Sequence, residues 1–377
     1  MPVLLQAAAA ETLSIMTASS TTDQMALVVQ ANAVPALVSL LQAKDQNVLE
    51  SALKALSNIA GDSPRMRDKV IEAGAVPPLL LLLNDASISL TVARHAIFCL
   101  SIMCRSKTPR PDWEAVSVAL PTLAKLLFTY TDDEEVLTDT AWTLSYLSDG
   151  TNDRIQRVID TGVCARLVEL LAHESVAVQT PVLRVAGNIV TGDDMQTQAM
   201  LKAGVLDGLC PMLDSRKESI RKEACWTISN ITAGTADQVQ MVIDTGMVPR
   251  LIDLMWREGS NSIQREACWA MTNATERGQE HPEWIEYFVS HGILKGIASF
   301  LDGHDRMTDV ATSGLENIFK VGADIAADCV NPYALHFKEA GYLDQLVAAR
   351  ESESGGERAA QLCEDFFLGE VGLSEIE

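Results

Sequence analysis

The sequence has few of the features that announce chemistry. Its eight cysteines, Cys99, Cys104, Cys164, Cys210, Cys225, Cys268, Cys329 and Cys363, include no C-x-x-C pair, and no His-x-x-x-His spacing accompanies them. That argues against a zinc site or a disulfide framework and for small buried packers, Cys225 and Cys268 each standing directly before a tryptophan. The six histidines, His95, His173, His281, His291, His304 and His336, form no H-E-x-x-H, and no G-x-S-x-G or Walker pattern occurs. An enzyme is therefore not expected, and no cofactor or metal is implied. The acidic run "DDEE" (132–135) lacks calcium-loop spacing and reads as an exposed helix start. The longest apolar stretch, "GAVPPLLLLL" (74–83), falls short of the ~18 residues of a spanning helix. Lysine and arginine are absent before Lys44, so the start lacks the charged opening of a signal or transit peptide. These absences lead us to expect a protein of the cytosol or nucleus.

What is present is an acidic, apolar-rich chain of 377 residues, with 51 acidic against 29 basic residues and a net charge of −22. Such a field disfavours nucleic acid and anionic membranes and attracts basic partners. At 47% apolar the chain is far from a disordered composition, yet it is long for one compact core. A repeat resolves this. "NAVPALVSLL" from Asn32 recurs as "GAVPPLLLLL" from Gly74, "GVCARLVELL" from Gly162, "GVLDGLCPML" from Gly204, "GMVPRLIDLM" from Gly246, "GILKGIASFL" from Gly292 and "GYLDQLVAAR" from Gly341. A weaker copy, "VALPTLAKLL" (118–127), fills the one gap. Three of the steps are 42 residues each. Within a unit, a short segment with helical spacing stops at Gly, a second helix takes Pro early, and a longer third helix ends in Gly. Three helices in ~42 residues bury their apolar faces only by stacking on neighbouring units.

The third segments carry a column of residue pairs four apart, hence on one helix face. In chain order they are Glu11/Ile15, Lys54/Asn58, Phe98/Ile102, Trp142/Tyr146, Arg184/Asn188, Trp226/Asn230, Trp269/Asn273 and Ser313/Asn317. Stacked units turn the pairs into rungs along a concave surface. A carboxamide donates to and accepts from an extended backbone, and indole faces form slots for Lys or Arg stems. Glu223 and Glu266, each three residues before a ladder Trp, and Asp194, after Asn188, supply negative charge.

This pattern closely resembles the armadillo repeat. More specifically, "SNIAGD" (57–62), "SYLSDG" (145–150), "GNIVTGDDMQTQ" (187–198) and "CWTISNITAG" (225–234) look like importin-α, the nuclear import adaptor. The resemblance covers nearly the whole chain. It implies an all-α, right-handed α-solenoid (superhelix) of about eight to nine three-helix armadillo repeats, running as one solenoid over 1–377. Residues 1–30 would form a partial first repeat, and 340–377 a capping repeat and tail. In that family the ladder binds Lys/Arg-rich nuclear localisation signals of cargo proteins at a larger N-terminal and a smaller C-terminal site. The C-terminal site carries over: Asn188, Gly192, Asp194, Thr197, Glu223, Trp226, Asn230, Glu266, Trp269 and Asn273 match. Arg184 and Tyr146 match the family's central repeats, where the ladder changes character between the two sites, and Trp142 is a further candidate for peptide binding.

At the N-terminal site only Asn58 and Asp62 persist, with Glu135 and Asp139 near Trp142. Lys54 repels an incoming lysine, and Ile102 cannot hold a backbone, so that site is expected to be degenerate. The family opens with a basic segment that recruits importin-β. This chain begins inside a repeat: either that segment has been removed or the chain is a divergent relative without it, and partnership with importin-β stays open. Family likeness also implies an export receptor near the C-terminal repeats and shuttling between cytoplasm and nucleus. The competing reading is an armadillo scaffold that assembles proteins without a transport role.

Overall fold

The computed structural model describes residues 3–18, 21–301, 307–326 and 330–368. Cys329, His304 and the tail from 369 onward lie outside the described residues. Among the described residues every regular element is a helix, and none is long and apolar enough to cross a membrane.

Two compact units emerge, Met1–Gly192 and Asp193–Glu377. The first opens with α1 (Val3–Ala18), the lone third helix of an incomplete repeat. Four triplets follow. They are α2 (Thr22–Gln30), α3 (Ala33–Leu40) and α4 (Gln46–Asp62); α5 (Pro64–Glu72), α6 (Val76–Asn84) and α7 (Leu90–Cys104); α8 (Trp113–Ser117), α9 (Leu120–Thr129) and α10 (Glu134–Ser148); and α11 (Asn152–Ile159), α12 (Cys164–Leu171) and α13 (Val176–Val190). The second unit has four more. They are α14 (Asp194–Lys202), α15 (Val205–Met212) and α16 (Glu218–Thr232); α17 (Ala236–Asp244), α18 (Val248–Arg257) and α19 (Asn261–Gly278); α20 (Pro282–Ser290), α21 (Ile293–Ala298) and α22 (Thr308–Asp324); and α23 (Pro332–Glu339), α24 (Leu343–Ala349) and α25 (Gly356–Phe367). Eight triplets and the leading helix fit the expected repeat number. The expected boundaries shift at both ends. Thr21 caps α2 in a capping box with Gln24, so α2 starts the first full repeat rather than closing a partial one. The last repeat opens at Pro332, ahead of the expected 340.

The periodic glycines have a backbone reason. Gly74, Gly162, Gly204, Gly246, Gly292 and Gly341 all take positive φ between the first and second helices of a repeat. Asn32, at the same phase, has φ 60°, the left-handed region that Asn tolerates best among non-glycine residues. Proline sits in the first turn of α6, α9 and α18, where a missing N–H is harmless.

Third helices form the spine of each unit. α1 packs on α4, α4 on α7, α7 on α10 and α10 on α13; in the second unit α16 packs on α19, α19 on α22 and α22 on α25. In α16 the buried set is Ile220, Ala224, Cys225, Ile228 and Ile231; in α19 it is Ile263, Ala267, Cys268, Ala270, Met271 and Ala274. Burying each large aliphatic side chain contributes about 1.5–3 kcal/mol. The same periodicity turns Trp226 with Asn230, and Trp269 with Asn273, away from the buried stripe.

Candidate peptide-binding groove

Four of the expected ladder residues of the second unit, Trp226, Asn230, Trp269 and Asn273, come together. Trp226, Ser229, Asn230, Ala233, Arg265, Glu266, Trp269, Asn273 and Met307 line one open groove of about 400 Å³. Trp269 is 45% exposed, so its indole faces solvent rather than the core. Trp226 is half-buried.

Side-chain to backbone bonds fix the spacing of the two indoles. The Nδ2 of Asn273 donates to the carbonyl of Ser229 at 2.9 Å, and Nε of Arg277 donates to the carbonyl of Gly234 at 2.9 Å. Both acceptors lie at the C-terminal end of α16, where the Ser229 carbonyl also accepts from the backbone N–H of Ala233 and the hydroxyl of Thr232. The carboxamide of Asn230 donates to the carbonyl of Trp226 within α16, at 2.9 Å. Each of these two amides retains a second N–H and the Oδ1 acceptor for a ligand.

Charge completes the arrangement. Glu266 is half-buried, and that burial raises its pKa; Lys222 pulls it back, while the nearby Glu223 carboxylate pushes it further up. Two carboxylates that repel each other at the edge of an aromatic groove favour an entering cation.

Other expected residues fare differently. Asp194 is exposed at the start of α14, and its carbonyl accepts from Nε2 of Gln238 at 2.8 Å. Thr197 is buried, one turn into the same helix, because Asp193 caps α14 with Gln196 and turns the next residue inward. Asn188 is also buried, its Nδ2 donating to the carbonyl of Ser145 at 2.9 Å and the hydroxyl of Ser148 at 3.1 Å. The expected free carboxamide is here a staple between α10 and α13. Asn58 plays the same part, donating to Thr17 Oγ1 at 3.2 Å. Asp62 accepts from the Thr22 hydroxyl at 3.3 Å. Arg184 is half-buried on α13. Trp142 and Tyr146 stack, with ring centroids 6.0 Å apart.

Asn317 is locked on both sides. Its Nδ2 donates to Thr275 Oγ1 at 3.1 Å and its Oδ1 accepts from Nε2 of Gln279 at 3.0 Å. The ladder of the second unit thus offers two usable rungs, Asn230 and Asn273. The repeat pattern gives no sign of Arg265 or Met307, which stand in the groove with no counterpart in the pairs.

Stacked three-helix units, entered through left-handed glycines and joined by their third helices, define an armadillo-repeat α-solenoid protein. Residues 21–61, 109–149, 151–191, 193–233 and 235–276 match the Armadillo/beta-catenin-like repeat family. The chain is 44% identical over 359 residues to importin subunit alpha-1a of Oryza sativa subsp. japonica, spanning 94% of this chain and 67% of that protein. It is 37% identical to importin subunit alpha-8 of Arabidopsis thaliana over 328 residues, 86% of this chain and 72% of that one. The chain belongs to the importin-α family. Among solved structures it is similar to a designed armadillo repeat protein in complex with peptide (KR)4, at TM-score 0.58 and 32% identity, over 64% of this chain and 99% of that one. An engineered protein shares the fold at TM-score 0.77 and 24% identity, over 95% of this chain and 94% of that one.

Proposed function

We propose that this chain is a nuclear import adaptor that holds Lys/Arg-rich nuclear localisation signals, as extended peptides, in the groove between α16 and α19. The observation that carries this reading is the single groove shared by Trp226, Asn230, Glu266, Trp269 and Asn273, with Glu223 close enough to raise the pKa of Glu266. Lysine or arginine stems lie against the two indoles, Glu223 and Glu266 face the charges, and the two carboxamides hold the peptide backbone. Relatives named importin subunit alpha and a designed neighbour holding a (KR)4 peptide support the same ligand class. Movement between cytoplasm and nucleus, with release helped by an export receptor, belongs to this proposal.

Salt separates this reading from a scaffold that binds through apolar contacts. Affinity for a labelled lysine-rich peptide is expected to fall about tenfold between roughly 0.05 and 0.5 M sodium chloride. An affinity that does not change with salt removes the charge-based part of the proposal.

A further inference from the structure

The first unit carries a second surface whose chemistry runs opposite to that groove. On the packed helices α7 and α10, Phe98 stands 45% exposed at the phase where α16 and α19 have tryptophan, and Ile102 takes the carboxamide's place. Trp142 and Tyr146 stack on the neighbouring helix. Aromatic plates are therefore present, but the polar grip is not.

Part of the negative charge that a lysine slot needs is already paired. Arg94 holds Asp133 at 2.7 Å and Glu135 at 3.1 Å. Asp139, three residues before Trp142, has its pKa pushed up to about 6, chiefly by burial and further by Glu135. Cations take over instead. Lys54 stands 47% exposed at the equivalent phase on α4, in a long ion pair with Glu50 at 4.0 Å that a closer carboxylate can replace. Arg105 is close enough to Tyr146 to oppose the burial that raises the tyrosine's pKa, and Nζ of Lys107 reaches the carbonyl of Gly61 at 3.4 Å. Gly61 in turn adjoins Ile102.

We infer that the face formed by Phe98, Ile102, Trp142 and Tyr146 binds an extended partner segment through a large apolar side chain, with an adjacent acidic residue paired to Lys54. Desolvating an aliphatic side chain against exposed aromatic and aliphatic surface is favourable, whereas a lysine there loses hydration while Asp133 and Glu135 are already held by Arg94. The surface lies in the other unit and takes another ligand class, so it stands or falls separately from the α16/α19 groove.

The test uses the full chain and two labelled peptides on a Gly-Ser frame, one with a Glu-Leu-Glu core and one with that leucine replaced by lysine. The leucine peptide is expected to bind saturably below about 1 mM, and Phe98→Ala to weaken it about tenfold. Lys54→Glu is expected to weaken it about fivefold, while Trp226→Ala with Trp269→Ala leaves it unchanged. Phe98 and Lys54 are exposed, so these variants keep the fold, which a melting curve checks. In the Trp226→Ala, Trp269→Ala background, Phe98→Trp with Ile102→Asn is expected to raise affinity for a lysine-rich peptide at least about threefold, by rebuilding a slot and a carboxamide. No binding of the leucine peptide, indifference to Phe98→Ala, or equal binding of the lysine peptide through Phe98 would overturn the inference.

Discussion

Replacing Trp226 and Trp269 together by alanine is expected to weaken binding of a lysine-rich peptide about a hundredfold. Each indole face offers a cation about 1–2 kcal/mol when water is partly excluded, and two such losses correspond to two decades or so of affinity. At Trp269 the substitution spares the core, because the core of α19 lies on the opposite stripe, Ile263, Ala267, Met271 and Ala274, and Trp269 is already 45% exposed, whereas Trp226 is half-buried. Exchanging the ladder asparagines is less clean. Asn273 ties α19 to the Ser229 carbonyl of α16, so its removal lowers stability as well as affinity. Fluorescence anisotropy on the double variant, with a melting curve in parallel, checks the prediction; unchanged peptide affinity counts against the groove.

Arg67→Ala is expected to produce the largest loss of stability. Arg67 is only 2% exposed, and its guanidinium donates to the carbonyls of Arg105 and Lys107 at 3.3 Å each and of Pro109 at 2.7 Å, while Nε reaches Asp68 at 2.9 Å. One side chain thus fastens the loop after α7 onto α5. That loop also carries Ser106, whose hydroxyl donates to the carbonyl of Tyr146 at 3.4 Å. Truncation strips three carbonyls of a charged donor and opens a void, costing about 3 kcal/mol. In a unit of this size the melting temperature should fall by about 10 °C. Arg67→Lys should restore little, since one ammonium cannot span the fan of acceptors that the planar fork reaches. A melting temperature within a degree or so of the parent contradicts this account.

Much of the architecture was legible because it is local. A glycine every 42 residues or so reports a left-handed hinge, and Asn32 could be recognised at the same phase because it is the residue that best imitates glycine there. The Trp226/Asn230 and Trp269/Asn273 pairs were legible because four-residue spacing puts both members on one face. What stayed hidden depends on the neighbouring repeat. Period and phase do not show that the Asn273 amide reaches Ser229, 44 residues back, or that Gln279 closes off Asn317. Nor does spacing show that Thr197 turns inward beneath its cap, that Asn188 is buried as a staple, or that Arg265 enters the groove. Even so, the departures in the first unit were written in the sequence. Phe98 and Ile102 at ladder positions mark a surface of different chemistry, whose paired charges emerge only once Arg94 is seen holding Asp133 and Glu135.

The most direct measurement follows the tryptophan indole N–H resonances as a lysine-rich peptide is added to nitrogen-labelled protein. The chain has six tryptophans, and four serve as internal controls. Trp256 is already covered by its own Lys295 at 3.6 Å, Trp113 by Arg154 at 4.6 Å, Trp284 is tied to Gln240 at 2.8 Å, and Trp142 stacks on Tyr146. The account predicts that the Trp226 and Trp269 signals move with peptide concentration while those four hold still. Stationary signals from Trp226 and Trp269 at saturating peptide, with movement at any of the others, would contradict it.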